Sequence, residues 1–421
     1  MKYEKIDMGS YNIHLVNTDH FKTTTVSINF RERIKKENIT KRKFLFQTLC
    51  SSTYKYNTAR LLNIEFENLY SLSLSHSNIK FGNIINSYID IKFLNEKYSD
   101  STLLENSLNL LFEIIFNPNV EDEKFDSKIF NLIKERMNSS IASLKEKPAQ
   151  YATLRALTTM DSEDPVSFSL WGYKEDLDLI TEKNLYEYYK KILNDNKIDI
   201  FVIGDFDSEK VVNIFREKFN INTIKMDRVE PFISYKKCNK AIETIEEMKN
   251  LQQSKLSIIC KALDMSTFER RYILPIYASI LGGDLNSRLF SSVREKESLA
   301  YTVNAATKNP NSILIISSGI NSDSYEKALK IIKTEIKNMN KITDLEVENA
   351  KSEIISSLDS LFDDPMGIIN YYFGIEVFEA DTIEEKKKNF AKVNKKDVEK
   401  FASKVKIASI YLLRGELNEE K

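Results

Sequence analysis

The 421-residue chain is poor in the residues that punctuate or staple a fold, with 10 Gly, 7 Pro, 3 Cys, 3 His and a single Trp. Cys50, Cys238 and Cys260 stand far apart, which excludes a disulfide framework and a paired-thiolate metal motif and leaves them as small buried hydrophobes. His14, His20 and His76 are the only imidazoles, and no two are four residues apart. A zinc site built from two His one helical turn apart therefore cannot form anywhere in the chain. Charge of one sign is also lacking: Lys plus Arg total 61 and Asp plus Glu total 62, for a net charge of −1. That balance suggests no nucleic-acid groove and no anionic membrane surface as partner. The stretch Met1 to Asp7 alternates charged and apolar residues and has no signal-peptide core. No run approaches the roughly 20 apolar residues of a membrane span. A soluble, cytoplasmic protein is the expectation.

What is present is 42% hydrophobic residues, enough for large cores, and a length that suggests about two or three domains. The pattern is written twice. Asn184 to Tyr189 leads as a helix into the apolar strand Ile198 to Ile203, which stops at Gly204-Asp205. Asp397 to Phe401 leads in the same way into Ala408 to Leu413 and Gly415-Glu416. Asp164-Pro165 followed by Gly172 pairs with Asp364-Pro365 followed by Gly374. Ile89, Ile91 and Phe93 alternate at strand period before a helical stripe of Leu104, Leu108, Leu111, Phe112 and Ile115. Downstream, Ile313 to Ile316 precedes the stripe Tyr325, Ala328, Leu329, Ile332, Ile336 and Met339. This predicts a first α/β half over 1–207, a connection over 208–240 containing Pro231, and a second α/β half over 241–421.

The second half holds the densest motif, Gly282-Gly283-Asp284-Leu285-Asn286-Ser287-Arg288-Leu289-Phe290, continuing through Arg294-Glu295-Lys296 to Leu299-Ala300-Tyr301. The glycines follow an apolar helix, where a left-handed residue closes the last turn. Asn286 or Ser287 is placed to cap the next helix, with Leu289, Phe290 and Val293 as its buried stripe. Leu299, Tyr301 and Val303 then alternate as one face of a strand. On pattern alone, Arg294 reads as a solvated helix-face cation and Tyr301 as a core ring.

This segment resembles the second-half signature of the insulinase, pitrilysin and mitochondrial-processing-peptidase superfamily of inverted-motif zinc peptidases, and the duplication extends the resemblance to essentially the whole chain. It implies an α+β clamshell of two homologous halves, each a mixed, mostly antiparallel sheet with helices packed on one face. It also implies that Arg294 grips a peptide carbonyl or carboxylate. Tyr301 would offer its O–H to the carbonyl oxygen as negative charge develops there. Gly282 and Gly283 would let backbone come close to the peptide.

The family's metal motif is His-x-x-Glu-His on a helix. Counting back from Thr53-Tyr54-Lys55-Tyr56-Asn57-Thr58 places Lys43, Phe46 and Gln47 at its positions. A cation, a hydrocarbon ring and a lone amide cannot hold zinc or move a proton. Glu135 stands where a third ligand would survive and otherwise reads as a surface helix acid.

The resemblance thus implies a catalytically silent, substrate-binding subunit of a heterodimeric zinc metallopeptidase. This chain would carry no metal or other cofactor of its own. Zinc and the general base would come from a paralogous partner bearing the zinc motif. The substrate would be a peptide of limited size added to a sheet edge near Ser73–Asn78 or Lys80–Asn83, and bacterial relatives suggest maturation or leader removal from modified peptides. Two alternatives are a non-proteolytic scaffold or core subunit, and an independent metalloenzyme using carboxylates and isolated histidines. The Ser75-His76-Ser77 stretch reads as a polar hairpin-like surface rather than a ligand site.

Overall fold

The two halves of the sequence fold into the same succession of elements. In the computed structural model, which describes residues 1–221 and 229–415, the first half opens with β1 (Lys2–Asp7) and β2 (Tyr11–Asn17). It continues through β3 (Thr23–Arg33), α1 (Lys36–Leu49), β4 (Ser73–Phe81), β5 (Ile84–Leu94), α2 (Leu103–Phe116) and α3 (Ser127–Ala142). It ends with α4 (Pro148–Met160), α5 (Glu182–Asp195), β6 (Lys197–Gly204) and α6 (Ser208–Lys218). The second half runs β7 (Ile242–Glu247), β8 (Ser254–Ala262), α7 (Leu274–Gly282), β9 (Ala300–Lys308) and β10 (Ile313–Ile320). It closes with α8 (Tyr325–Asn338), α9 (Asp344–Asp359), α10 (Pro365–Phe378), α11 (Lys395–Ala402) and β11 (Val405–Arg414). From β3 to β6 and from β8 to β11 these elements correspond one to one.

Strand order repeats as well: β1-β2-β6-β3-β5-β4 in one sheet and β7-β11-β8-β10-β9 in the other. In each, the last strand of the half pairs parallel with a strand near its start, β6 with β2 and β11 with β7, and every other pairing is antiparallel. The helices feeding β6 and β11 begin with the same device. Thr181 with Asn184, and Asn394 with Asp397, form reciprocal capping boxes that satisfy the first backbone N–H groups.

Packing divides the chain differently from the repeat. One compact unit comprises Met1–Ala142, Ser169–Glu230 and Asp363–Phe373; the other comprises Ser143–Phe168, Pro231–Phe362 and the chain from Gly374 onward. The halves thus exchange helices: α4 joins the second sheet, and the first turns of α10 join the first. The segment expected to be a connection opens with α6, whose Val211, Val212, Ile214 and Phe215 are buried in the first core. Its charged residues hid that apolar stripe. Positions 222–228 of the expected connection, and Glu416, lie outside the described residues. The Asp-Pro correspondence is also amended, because Pro165 starts a single short turn, whereas Pro365 opens α10. The topological partner of α10 is α4, which opens on Pro148.

In the first unit, Ile13, Leu15, Val26, Ile28, Ile89, Ile91, Ile198, Ile200 and Val202 turn to the helical layer, where they meet α1, α2, α5 and α6. The opposite face carries buried His14, Ser27, Asn29, Asp90 and Asp199, together with Phe201. On that face Tyr372 stacks on Tyr3, and Phe373 lies against Phe81 and Phe201. In the second unit, Leu256, Ile258, Leu314, Ile316, Ile410 and Leu412 face the helical layer. Behind them, Ile259, Ile315, Tyr411 and Leu413 meet α4. Ala152 and Ala156, one helical turn apart, let α4 settle close enough for the Ser409 hydroxyl to donate to the Ala156 carbonyl at 2.7 Å. Each sheet therefore has its helical layer on one face and a single exchanged helix on the other.

The polar face of the first sheet holds a group that responds to pH. Asp90 lies between Ser27 and Ser75 in register and is buried, with one carboxylate oxygen lacking a hydrogen-bond partner. Burial pushes its pKa up to about 6 against the opposing pull of the Ser27 hydroxyl. A raised carboxylate pKa makes the fold favour the protonated form. Its contribution is fully present below the unfolded value near 3.8 and is lost as pH rises through about 6. Asp90→Asn is expected to stabilise the protein by about 1–3 kcal/mol at pH 7.5, with the gain vanishing near pH 4. Denaturant unfolding at the two pH values checks this, and a gain of equal size at both contradicts it.

Candidate functional site

Helix α1 carries the three positions where the zinc motif would stand. Phe46 is buried and packs edge-on against Phe30, with its ring centroid 5.5 Å away, so this side of α1 is core. Lys43 and Gln47, one turn apart, are half-buried and line an open cavity of about 280 Å³ together with His76, Ser77, Asn78, Leu170 and Trp171. The Lys43 ammonium donates to the Trp171 carbonyl at 3.3 Å and lies 5.1 Å from the centre of the Trp171 ring. These residues do not fit zinc, since the helix offers an ammonium and one amide where two imidazoles are needed. Among the described residues, no three His, Cys, Asp or Glu side chains converge as a ligand set. Glu135 is exposed on α3 and lies outside the cavity.

His76 sits on an edge strand rather than a hairpin turn. Along β4, Ser73, Ser75 and Ser77 are exposed while Leu74, His76 and Asn78 are half-buried. This period-2 pattern, with serine on the wet face, was the available signal for a strand and for an inward-turned histidine. Burial, followed by the Lys43 ammonium, holds the His76 pKa below the ordinary imidazole value. Both peptide-edge candidates, Ser73–Asn78 and Lys80–Asn83, fall on β4 or on its turn into β5. The cysteines are free thiols; burial pushes Cys50 and Cys238 up, and Cys260 up to about 12.

In the second unit, α7 takes the place of α1 and β9 that of β4. The glycine pair ends α7 without a left-handed residue, since Gly283 has φ −77°. Space explains these glycines. A Cβ on buried Gly282 would lie 2.7 Å from the Ala305 backbone nitrogen of β9, and one on Gly283 would lie 2.7 Å from the Ser279 Cα. The room at Gly282 is thus taken by β9. The next helix is entered through Asp284, whose carboxylate accepts from the Asn286 N–H at 2.8 Å. The Ser287 hydroxyl donates back to the Asp284 carbonyl at 2.6 Å, so neither Asn286 nor Ser287 is the capping acceptor. Arg288, a motif residue with no assigned role in the sequence reading, clamps Glu346 at the start of α9 with bonds of 2.6 and 3.1 Å.

Phe290–Lys296 winds wider than an α-helix, closing i→i+5 turns, a rare geometry that is frequent at functional sites. Ser298, at φ +51°, turns the chain into β9. There the ladder slips: Ala300 pairs with Ile320 and Thr302 with Gly319, leaving Tyr301 on a bulge. The bulge breaks the alternation expected of Leu299, Tyr301 and Val303, so Tyr301 is 73% exposed while Leu299 and Val303 are buried. Exposed Arg294 lies between rings, its guanidinium carbon 4.7 Å from the centre of Phe290 and 5.6 Å from that of Tyr301. Both are cation–π distances, and the guanidinium stays exposed.

Comparisons with known proteins bear on the fold. The family model described as "Peptidase M16 inactive domain" matches residues 179–354. A Bacillus subtilis (strain 168) protein named "Probable inactive metalloprotease YmfF" is 28% identical over 414 residues, covering 97% of this chain and 96% of that protein. A crystal structure of a conserved protein from Enterococcus faecalis V583 superposes with a TM-score of 0.90 at 25% identity, covering 99% of this chain and all of that one. In sequence and in fold the chain is similar to M16 peptidases. A solved peptidase M16 inactive domain from Pseudomonas fluorescens shares the M16 fold at a TM-score of 0.78 and 16% identity, across 100% of this chain and 99% of that one. The chain is metalloprotease-like, its relatives include proteins described as inactive, and no described helix is long and apolar enough to cross a membrane.

Proposed function

We propose that this M16-type chain is the non-catalytic, substrate-binding subunit of a two-subunit zinc peptidase acting on peptides of limited size. A paralogue carrying the His-x-x-Glu-His helix supplies zinc and the general base. The observation that carries this reading is Arg294 and Tyr301 exposed side by side on a bulged edge strand, in a chain whose zinc-motif positions hold Lys43, Phe46 and Gln47. A planar cation and a phenol held together on a rigid turn suit a polarised peptide carbonyl, and a core would not leave them in water. Among the described residues β4 is the outermost strand of its sheet, the place where an extended peptide adds to a sheet. Maturation of modified peptides by leader removal belongs to this reading.

The experiment purifies the chain alone, a zinc-motif paralogue from the same organism alone, and the two together. Co-elution is expected, with peptidase activity and chelatable zinc assigned to the pair and no activity from this chain by itself. Strong hydrolysis by this chain alone with tightly bound zinc overturns the reading. So does a paralogue that is fully active without it.

A further inference from the structure

The two sheets differ at one edge. In the first, β1 covers β2 with an antiparallel pairing over Lys2–Asp7. β7 holds the corresponding place in the second, since β2 and β7 each pair parallel with the last strand of their half. Among the described residues β7 is outermost, and its backbone makes no hydrogen bond beyond its ladder with β11. The chain ahead of it enters in line rather than as a hairpin: the Ile233 N–H donates to the Pro310 carbonyl at 2.8 Å, and the Cys238 thiol reaches the Ile407 carbonyl at 3.7 Å. Edge strands are usually blunted by Lys, Pro or a bulge. β1 carries Lys2 and Lys5, and β9 carries the bulge at Tyr301. β7 reads Ile242-Glu243-Thr244-Ile245-Glu246-Glu247, has none of these devices, and leaves Ile242 and Ile245 49% and 43% exposed.

The side chains of β7 indicate what covers it. Glu243 accepts from the Tyr325 hydroxyl at the start of α8, whereas Glu246 accepts from the Tyr151 hydroxyl of α4 and from Tyr411. Alternation therefore sets Glu243, Ile245 and Glu247, all exposed, on the side of α8. Glu247 has no side-chain partner among the described residues. A strand added here meets carboxylate, isoleucine and carboxylate in a row. We infer that the edge of β7 docks an extended segment of another protein, antiparallel to β7, which presents a basic, an apolar and a basic residue at alternate positions. A second copy of β1 matches this row poorly, because one of its faces carries Lys2, Glu4 and Ile6 and the other Tyr3, Lys5 and Asp7. The site lies at the opposite edge of the sheet from β9 and does not rest on the peptidase reading.

A fluorescein-labelled nine-residue peptide, with lysine, isoleucine and lysine at alternate positions between threonines, is titrated against the full chain by anisotropy at low salt. Amide hydrogen exchange of the complex locates the peptide. Saturable binding is expected, with exchange slowed within residues 242–247. Replacing both peptide lysines by glutamate should weaken binding about five- to tenfold. Glu247→Lys should bring the two affinities close together, and Ile245→Lys should remove binding of the lysine peptide. Both positions are exposed, and thermal unfolding verifies that the variants fold. Protection confined to another strand, binding indifferent to peptide charge, or no binding by either peptide overturns the inference. So does a chain that dimerises by itself and becomes monomeric on Ile245→Lys, since a second copy is then the occupant.

Discussion

Arg42→Met is expected to lower the stability of the first unit by about 3–5 kcal/mol, the largest structural effect of any single substitution considered. Arg42 points from α1 into the interior and is fully buried. Its guanidinium donates to the Ser87 hydroxyl at 2.5 Å, to Glu32 at 2.7 Å, to the Phe30 carbonyl at 2.5 Å and to the Asn196 side chain at 2.9 Å. One side chain thereby ties α1 to β3, β5 and the start of β6. Methionine fills the volume but leaves the Glu32 carboxylate, 11% exposed, with only the Tyr188 hydroxyl at 3.2 Å. The cost comes mainly from that stranded charge rather than from the lost attraction. Adding Glu32→Gln to Arg42→Met should therefore recover a substantial part of the loss. Urea unfolding followed by Trp171 fluorescence, which reports this unit, measures both variants. A loss below about 1 kcal/mol for Arg42→Met would show that the unit tolerates the stranded acid.

The repeat was legible because strand and helix periods survive divergence. Ile200 to Ile203 and Ile410 to Leu413 are each buried on both faces, so both stay continuously apolar. The exchange of α4 and α10 was not legible, since an amphipathic helix does not say which sheet it will cover. Only the Ala152 and Ala156 pair hinted at a close helix-on-sheet contact. Tyr301 illustrates a different failure. Strict alternation puts it with Leu299 and Val303, and one unpaired residue in the ladder reverses that. His76 was set aside because serines on either side look like a loop, although alternating serine is also what a half-wet edge strand requires. In both cases the missing information was register, which depends on the partner strand.

The second large effect belongs to the exposed pair and is read in the proposed two-subunit enzyme after reconstitution. Tyr301→Phe keeps the ring that helps hold Arg294 and removes only the hydroxyl. If that hydroxyl donates to the carbonyl oxygen in the transition state, kcat should fall about 10²-fold or more with little change in KM. Arg294→Ala removes a grip on the ground state as well, so KM should rise, and Arg294→Lys should rescue poorly because an ammonium lacks the planar fork. Tyr301→Ala should cost more than Tyr301→Phe, and combining it with Arg294→Ala should cost less than the two effects added together. The ring and the cation position each other at 5.6 Å, so each single change already loosens the other. Neither side chain is buried, so folding and subunit assembly should be unchanged in every variant. Full turnover by all of them would mean that the second subunit uses this chain for its shape alone, as a scaffold.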